Sequence, residues 1–373
     1  MPRNPKYHPG RAASEPARAA LPGNVRKIAV LRANALGDFI FALPALEALK
    51  GRFPEAELVL LATAWHRKFL ERRPGPVDRV IAVPQCDGIP HETNRVGNPE
   101  EVAAFFQNLR DENFDIAIQM HGGGRHSNPF IRNIGAKLSI GLQDGDAAPL
   151  DISVPYCRYH SEVLRYLELV KTLGAVTDRV EPRLCVTAAD LKELEVHDLK
   201  TPYAVLHPGA SDFRRRWPVK KFARVGDALS RLGLQVYLSG TEPECELTAR
   251  VRLLMREPAE NLCGRLSMNA YAALLSGAEL LVSNDTGPLH LARAIGTPTV
   301  GIFWIVNMIT GDSITVAKHR SCIAWNVRCP LCGADCARDG MHNGGCRHET
   351  SFVDEVPVHE VLNCASSLIG AKT

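Results

Sequence analysis

The clearest indication of the fold is the segment Glu279-Leu-Leu-Val-Ser-Asn-Asp-Thr-Gly-Pro-Leu-His290. Leu280–Val282 is a short apolar run, as expected of a strand that is buried on both faces. Ser283-Asn284-Asp285 follows with the chemistry of a helix cap, and Pro288 suits the first turn of a helix. The stretch therefore predicts a buried strand, a polar loop and a helix over 289–295.

Such a junction is a ready anion site, because the first N–H groups of a helix lack partners and lie at the positive end of its dipole. Gly287 permits close approach of a ligand to the backbone. The side chain of His290 leans towards the helix N-terminus and so reaches the same point. The pattern equally fits a structural role, in which a capped helix simply follows a buried strand.

Strand-like and helix-like segments alternate along the rest of the chain, which predicts parallel sheets with helices on both faces. At 373 residues the chain is too long for one ordinary domain. We expect an α/β protein with two doubly wound, Rossmann-like domains facing each other across a cleft. The predicted divisions are a disordered tail (1–24), a first domain (25–178), a linker (179–200) and a second domain (201–373) with a Cys-rich segment (322–348) and a terminal helix.

The strand predictions rest on short apolar runs. They fall at Lys27–Leu31, Leu58–Leu61, Arg79–Val83, Asp115–Gln119, Tyr203–Leu206, Gln235–Ser239, Leu280–Val282 and Thr297–Phe303. The last run is expected to close the core of the second domain.

Composition argues against two classes of protein. Lys and Arg number 44 against 41 Asp and Glu, and the net charge of +3 argues against nucleic-acid binding, which needs a strong basic excess. No apolar run is as long as a membrane span, and residues 1–24 lack the apolar core of a signal peptide. We therefore expect a cytoplasmic protein, with at most peripheral contact at the inner face of the membrane.

Asp38 lies where the first predicted strand meets the first predicted helix, in Leu36-Gly37-Asp38. One interpretation is an N-cap. The other is a catalytic base that faces the cleft. A helix N-terminus lowers the pKa of a carboxylate and so weakens a base, and the sequence does not show what offsets this effect.

Arg214-Arg215-Arg216 precedes Trp217-Pro218 at the start of a predicted crossover helix. The guanidinium group offers a planar fork of donors that suits phosphate, although a charge run is often only a solvated face. Glu242, in Gly240-Thr241-Glu242 at the end of a strand, can accept from ribose hydroxyls or merely supply first-turn helix charge.

His121-Gly122-Gly123-Gly124 follows another predicted strand, and three glycines permit close approach of a ligand. A similar run forms the oxyanion loop of lipases, but the chain has no G-x-S-x-G element, so a hydrolase is disfavoured. A flexible turn is an equal alternative. The candidate acceptor-binding residues here are His121, Gly122, Arg125 and Asn128.

The Cys-rich segment has the partial spacing of a zinc site, Cys329-x2-Cys332-x3-Cys336 followed by Cys346-x-His348. In a cytoplasmic protein such a cluster more often binds metal than forms disulfides. Structural zinc, free thiols and disulfides all remain open. A catalytic zinc is disfavoured, because four or five protein ligands leave no open position.

Four motifs together resemble glycosyltransferase family 9, the heptosyltransferases of bacterial surface polysaccharides. They stand in the family's order over about residues 26 to 305: Leu36-Gly37-Asp38, His207-Pro208-Gly209-Ala210, Gly240-Thr241-Glu242 and Asp285-Thr286-Gly287-Pro288-Leu289-His290. The resemblance implies a GT-B-like fold and metal-independent, inverting transfer from a nucleotide sugar, with ADP-heptose the expected donor and a lipopolysaccharide or other surface glycan the acceptor. Arg215 stands where the family commonly has Lys, and Trp304-Ile305 replaces its usual Gly-Pro turn.

The resemblance also implies roles for individual residues. Asp38 would deprotonate the acceptor hydroxyl, and Arg215 would stabilise the leaving diphosphate. The donor would be bound by His207, Gly209, Ala210, Glu242, Asp285, Thr286, Gly287 and His290. No cofactor is expected for catalysis.

Two other functions compete with this interpretation. A zinc-bearing interaction or nucleic-acid module would use the Cys-rich segment, but the near-neutral charge disfavours it. A dinucleotide oxidoreductase would fit the alternating strands, but it requires a G-x-G-x-x-G after a strand, and the sequence has none.

Overall fold

The computed structural model describes residues 21–86, 89, 97–337 and 346–369. Most of the tail predicted at 1–24 therefore lies outside the described residues. Among the described residues, no helix has the length and apolar character needed to cross a membrane.

The first half of the chain forms a six-stranded parallel sheet in the order β3-β2-β1-β4-β5-β6. Its strands are β1 (Lys27–Leu31), β2 (Glu57–Ala62), β3 (Arg79–Ala82), β4 (Ile116–Gln119), β5 (Leu138–Gln143) and β6 (Ile152–Pro155). Its helices are α1 (Leu36–Arg52), α2 (Ala64–Leu70), α3 (Pro99–Asp111), α4 (Ser127–Ile134) and α5 (Glu162–Lys171). The central strands are buried on both faces, which explains their uninterrupted apolar sequences.

The second half repeats this order, as β9-β8-β7-β10-β11-β12. Its strands are β7 (Tyr203–His207), β8 (Gln235–Leu238), β9 (Ala259–Asn261), β10 (Leu280–Asn284), β11 (Thr299–Trp304) and β12 (His319–Ala324). Its helices are α7 (Val219–Arg231), α8 (Cys245–Leu254), α9 (Met268–Gly277), α10 (Gly287–Ile295), α11 (Ile305–Gly311) and α12 (Val358–Ile369). The prediction of two doubly wound, Rossmann-like units is confirmed.

The strand order reverses between β1 and β4 in one sheet and between β7 and β10 in the other. In open parallel sheets, ligands bind outside the carboxyl ends of the strands at such switch points. Asp38 and His121 follow β1 and β4, while His207 and Asp285 lie at the ends of β7 and β10. The topology therefore brings these motifs to the two places where a ligand is expected.

A helix that the sequence analysis did not predict, α6 (Ala188–Glu195), lies in the segment assigned as linker. It is short and highly charged, but Thr187 and Asp190 form a capping box at its start. Asp190 also pairs with both terminal nitrogens of buried Arg73, at 2.8 and 3.0 Å. Arg73 reaches Asn269 of α9 as well, at 3.2 Å, so this ion pair joins the two halves of the molecule.

Candidate active site

Both halves line one cleft of about 660 Å³. The first sheet contributes the start of α1, the glycine loop after β4 and the start of α5. The second contributes the arginine run and the start of α10. Side chains and backbone that line the cleft include Asp38, Gly123, Glu162, Arg215, Thr286 and His290.

Asp38 is the third residue of α1, within its first turn. Its Oδ2 accepts from the backbone N–H of Ala35, the residue before the helix, at 3.2 Å. Its Oδ1 accepts from Nη2 of buried Arg32 at 3.0 Å. The carboxylate remains 37% exposed and lines the cleft, so it both supports the helix start and is open to a ligand.

The polar run Ser283–Asp285 does not cap α10 as the sequence suggested. The residue before the helix is Thr286, without a side-chain cap. Asn284 instead accepts from the N–H of Trp217 at 3.0 Å and donates to the carbonyl of Pro208 at 2.7 Å. These side-chain bonds attach the loops after β7 and β10 to each other, which leaves the α10 terminus without a side-chain acceptor.

Asp285 lies beside that terminus in a buried network. His290 Nε2 is 3.2 Å from its Oδ1, and Arg215 Nη1 is 3.3 Å from its Oδ2 and 3.0 Å from its carbonyl oxygen. Burial opposes ionisation, but the hydrogen bond from His290 and the charge of Arg215 hold the pKa of Asp285 below its ordinary value. Asp285 is therefore an anchored carboxylate.

The three successive arginines have three different environments. Arg214 is buried, pairs with Asp212 at 2.6 Å and lies 5.4 Å from the Trp304 ring, so its role is structural. Arg215 lines the cleft, and its buried Nε has no hydrogen-bond partner in the described part of the chain. Arg216 donates to the carbonyl of Ala210 at 2.8 Å. Only Arg215 is placed to meet a ligand in the cleft.

The loop after β7 lies against an acidic side chain that the sequence analysis missed. A Cβ at Gly209 would come within 2.0 Å of Glu244 Oε1, so a larger residue there would have to displace the Glu244 carboxylate. Glu244 accepts from the N–H of Thr241 at 2.8 Å, and their T-x-x-E spacing is the signal that could have identified it. Glu242 is exposed on a short 3-10 turn.

His207 lies in the sheet, at the end of β7. Its Nδ1 is 3.2 Å from Ser239 Oγ, and burial lowers its pKa, so the neutral imidazole is favoured. Ala210 is also buried. His207 and Ala210 lie beside the loop after β7 and do not line the cleft described above.

The glycine loop after β4 lines a second pocket of about 340 Å³, together with His121, Arg125 and Asp144. His121 Nδ1 accepts from the N–H of Ala33 at 3.2 Å, which joins this loop to the one after β1. Arg125 forms an exposed pair with Asp146 at 3.0 Å.

Asn128 is buried beneath the same loop. It donates to the carbonyls of Leu142 and Ala148, at 3.2 and 2.8 Å. Gly124 has a φ of +95°, and a Cβ there would lie 2.4 Å from the Asn128 amide nitrogen. The Asn128 amide nitrogen thus bonds to β5 and to the segment after it, and Asn128 does not line the pocket.

Four residues of the Cys-rich segment converge. The ligand atoms of Cys329, Cys332, Cys346 and His348 all lie within 4.8 Å of one another. Cys332 Sγ and Cys346 Sγ are 3.6 Å apart, and His348 Nδ1 is 3.5 Å from Cys346 Sγ and 3.7 Å from Cys329 Sγ. Tetrahedral zinc, with Zn–S bonds of about 2.3 Å, spaces its ligand atoms at roughly 3.5–3.8 Å. These four residues can therefore hold such an ion.

Cys336, the fifth predicted candidate, lies outside that group of four, and its Sγ donates to the carbonyl of Ala334. Burial works against the Cys329 thiolate, but backbone N–H groups of Cys332 and Leu331 lower the pKa of Cys329 to about 6. A thiolate is the form that binds metal.

The cluster packs close to the arginine run. Phe352 donates from its backbone N–H to the carbonyl of Arg214 at 2.8 Å, and its ring meets Trp304 edge to face at 5.0 Å. Trp304 Nε1 donates to the carbonyl of Asn326 at 2.6 Å. The tryptophan that replaces the Gly-Pro turn thus packs beneath the Cys-rich segment, in the same core as Cys329.

Comparison with protein families gives one matching model, described as glycosyltransferase family 9 (heptosyltransferase), over residues 102–326. Among curated relatives, lipopolysaccharide heptosyltransferase 2 of Salmonella typhimurium is 26% identical, and the match covers 74% of this chain and 82% of that protein.

Solved structures agree on the fold. The E. coli ADP-heptose lps heptosyltransferase II superposes with a TM-score of 0.69 at 19% identity, over 93% of this chain and 99% of that one. The iron-containing dodecameric glycosyltransferase TibC of enterotoxigenic E. coli H10407 gives a TM-score of 0.55 at 15% identity, over 94% and 77% of the two chains.

Proposed function

The chain belongs to glycosyltransferase family 9, and on that premise we propose that it transfers a heptose from ADP-heptose to a sugar hydroxyl of a lipopolysaccharide-type acceptor, with inversion at the anomeric carbon. One observation carries the proposal. An exposed carboxylate, Asp38, lines the same cleft as the free N-terminus of α10 and the cation Arg215. A candidate base and a candidate anion site thus share one space.

In the proposed reaction, Asp38 takes the proton from the acceptor hydroxyl. The acceptor oxygen then forms a bond to the anomeric carbon while the bond from that carbon to the diphosphate oxygen breaks. The electron pair leaves with ADP. Base and leaving group act from opposite sides of the sugar, so a single displacement inverts the configuration.

The leaving diphosphate would be stabilised by Arg215, by the N–H groups of Thr286 and Gly287 and by the dipole of α10. His290 would hold Asp285 and, through it, Arg215 in place. Relatives named as heptosyltransferases, one of them with ADP-heptose in its name, support the choice of donor.

A panel of nucleotide sugars tests the donor. ADP-heptose should raise the melting temperature of the purified protein more than ADP-glucose, UDP-glucose or GDP-mannose, because a ligand of the native state stabilises it by mass action. Release of ADP should then require heptose-deficient lipopolysaccharide, and NMR of the product should show inverted configuration. Stabilisation by another sugar nucleotide alone would refute the donor, and retained configuration would refute the single displacement.

We further propose that Cys329, Cys332, Cys346 and His348 bind a structural zinc and that catalysis needs no metal. Four protein ligands complete a tetrahedral site and leave no position for substrate. Sulfur-rich tetrahedral sites also take iron, and one solved structure of this fold is named as iron-containing. Elemental analysis of the purified protein must therefore distinguish zinc from iron.

Protein purified without added metal should carry about one zinc per chain, because four protein ligands complete a structural zinc site. A strong chelator should lower the melting temperature, because metal binding contributes to folding. It should not stop turnover at once while the protein is still folded. Stoichiometric iron would correct the metal, while the absence of both metals together with free alkylation of these thiols would refute the site.

A further inference from the structure

Arg32, which follows β1, is a buried cation, and its side chain is only 2% exposed. Its Nε donates to the carbonyl oxygen of Asp38 at 2.9 Å, and its Nη2 donates to Asp38 Oδ1 at 3.0 Å. Its Nη1 donates to the carbonyl of Met120 at 2.6 Å. One guanidinium group therefore fixes both the backbone and the carboxylate of Asp38.

The same Nη2 also reaches Glu162 Oε2, at 3.3 Å, at the start of α5. Glu162 is held in turn by Arg165 and by the hydroxyl of Tyr166, whose ring lies 5.0 Å from the Arg32 guanidinium carbon. A buried charge is stable only when it is paired and hydrogen-bonded. Glu162 thus anchors the same Arg32 nitrogen that donates to Asp38.

We propose that Arg32 is the positioning residue of the catalytic base and that Glu162 is its anchor. Arg32 holds Oδ1, and the Ala35 N–H holds Oδ2, so the carboxylate cannot rotate away from the cleft. Because Arg32 donates to both Asp38 and Glu162, its positive charge is shared between the two carboxylates. This inference rests on the proposed role of Asp38 as the base.

Other charged or titratable groups face this cluster from the elements packed around it. They are His66, Tyr156, Arg158, Arg165 and Tyr166 from the first half, and Arg215, Asp285 and His290 from the second. None of them contacts both Arg32 and Asp38 through the hydrogen bonds described above. The link between base and anchor therefore runs through Arg32.

A double-mutant cycle tests the proposal. Arg32→Met should lower kcat about a hundredfold with little change in the KM for the donor, and Arg32→Lys, which keeps the charge but not the fork, should recover about tenfold of that loss. Arg32→Met combined with Asp38→Asn should be no slower than Asp38→Asn alone, because residues that act as a unit are not additive. Additive losses, or unchanged kcat in both Arg32 variants, would overturn the proposal.

Glu162→Gln tests the anchor while leaving both Arg32 and Asp38 in place. It should lower kcat with little change in the KM for the donor, because Arg32 then loses a carboxylate that holds it. Unchanged kcat in Glu162→Gln would contradict the role of the anchor, and this variant keeps the proposal testable if Arg32→Met fails to fold.

Arg73 provides the matched control, because it is also a buried arginine paired with carboxylate and backbone, but outside the cleft. Arg73→Met should lower the melting temperature and leave kcat of the folded protein unchanged. Near-normal turnover in Asp38→Asn would refute the proposed role of Asp38 as the base. If Asp38→Asn is inactive but Arg32→Met has normal turnover, only the positioning role of Arg32 is refuted.

Discussion

Asp38 and Asp285 occupy closely similar places and have opposite properties. Each lies at the junction between a buried strand and a helix, each pairs with an arginine, and the two helix N-termini face each other. A Cβ on Gly37 would lie 2.8 Å from the His290 ring and 3.6 Å from the Cα of Gly287. Yet the Asp38 side chain is 37% exposed, while that of Asp285 is 5% exposed.

The difference separates a carboxylate that can serve as the proposed base from one that can only hold its partners. Both oxygens of each carboxylate are engaged: those of Asp38 by Arg32 and the Ala35 N–H, and those of Asp285 by His290 and Arg215. Asp285 is buried, however, and can only hold its partners. Asp38 is oriented by Arg32 but open to the cleft. The local sequence chemistry is shared, so exposure and the direction of the partners decide the role. The same substitution at both sites should therefore give opposite results.

Asp285→Asn is expected to have the largest effect on stability. Removing one member of a buried ion pair leaves the partner charge uncompensated, and we expect a loss of about 3 kcal/mol in the free energy of unfolding. Because the folded pKa of Asp285 is lowered, its contribution is present above the ordinary carboxyl range of about 4 and is lost as pH falls through the folded pKa.

Urea unfolding at neutral and acid pH measures this directly. The gap between wild type and Asp285→Asn should be widest at neutral pH and should close in acid. A pH-independent gap, or a fully stable variant, would contradict the anchored role of Asp285.

Asp38→Asn should instead leave unfolding nearly unchanged, because Glu162 still pairs with buried Arg32, and it should lower kcat at least about a hundredfold, the usual scale of general-base loss. The amide oxygen can still accept from the Ala35 N–H, so the helix start is kept. Steady-state kinetics with ADP-heptose and calorimetric donor binding separate the two effects. A stable, active variant would show that Asp38 only supports the start of α1, which is the alternative that the sequence left open.

The sequence predicted the fold well where each element is buried on both faces. The predicted strand at Lys27–Leu31 matches β1, because such strands are continuous apolar runs. β5, β6, β9 and β12 were missed. β6, β9 and β12 lie at sheet edges, and polar residues interrupt the apolar pattern in all four strands. Helix α6 was missed because its stability comes from tertiary packing and the Arg73 pair rather than from a clear apolar face.

The candidate site was less predictable, because partners distant in sequence define it. The motifs identified Asp38 and Arg215, both of which line the cleft. They did not identify Arg32, Glu162 or Glu244. Glu162 lies 124 positions after Asp38 in the sequence. Only the packing of α5 against α1 brings both carboxylates to the guanidinium group of Arg32.

Arg215→Ala tests whether the second half of the molecule binds the donor diphosphate. If its guanidinium contacts the diphosphate, donor binding should weaken by roughly 1.5–3 kcal/mol, as for a charge-assisted hydrogen bond. Arg216→Ala is the matched control, because Arg216 donates to the Ala210 carbonyl. Arg214→Ala is a poor control, since burial makes it a stability variant. Equal, small effects on the donor Kd at Arg215 and Arg216 would favour a solvated charge run.

The smallest expected effect comes from pushing the two helix ends apart by one methyl group. Gly37→Ala places a Cβ against the His290 ring, so overpacking should destabilise the protein by about 1 kcal/mol. Gly51→Ala is the control in the same helix, because a Cβ there meets nothing within 4 Å and alanine is the better helix former. Thermal unfolding should show opposite signs for the two variants. If Gly37→Ala stabilises as much as Gly51→Ala, the two carboxylate-bearing edges do not meet as described, and the shared cleft on which the proposed displacement depends is lost with them.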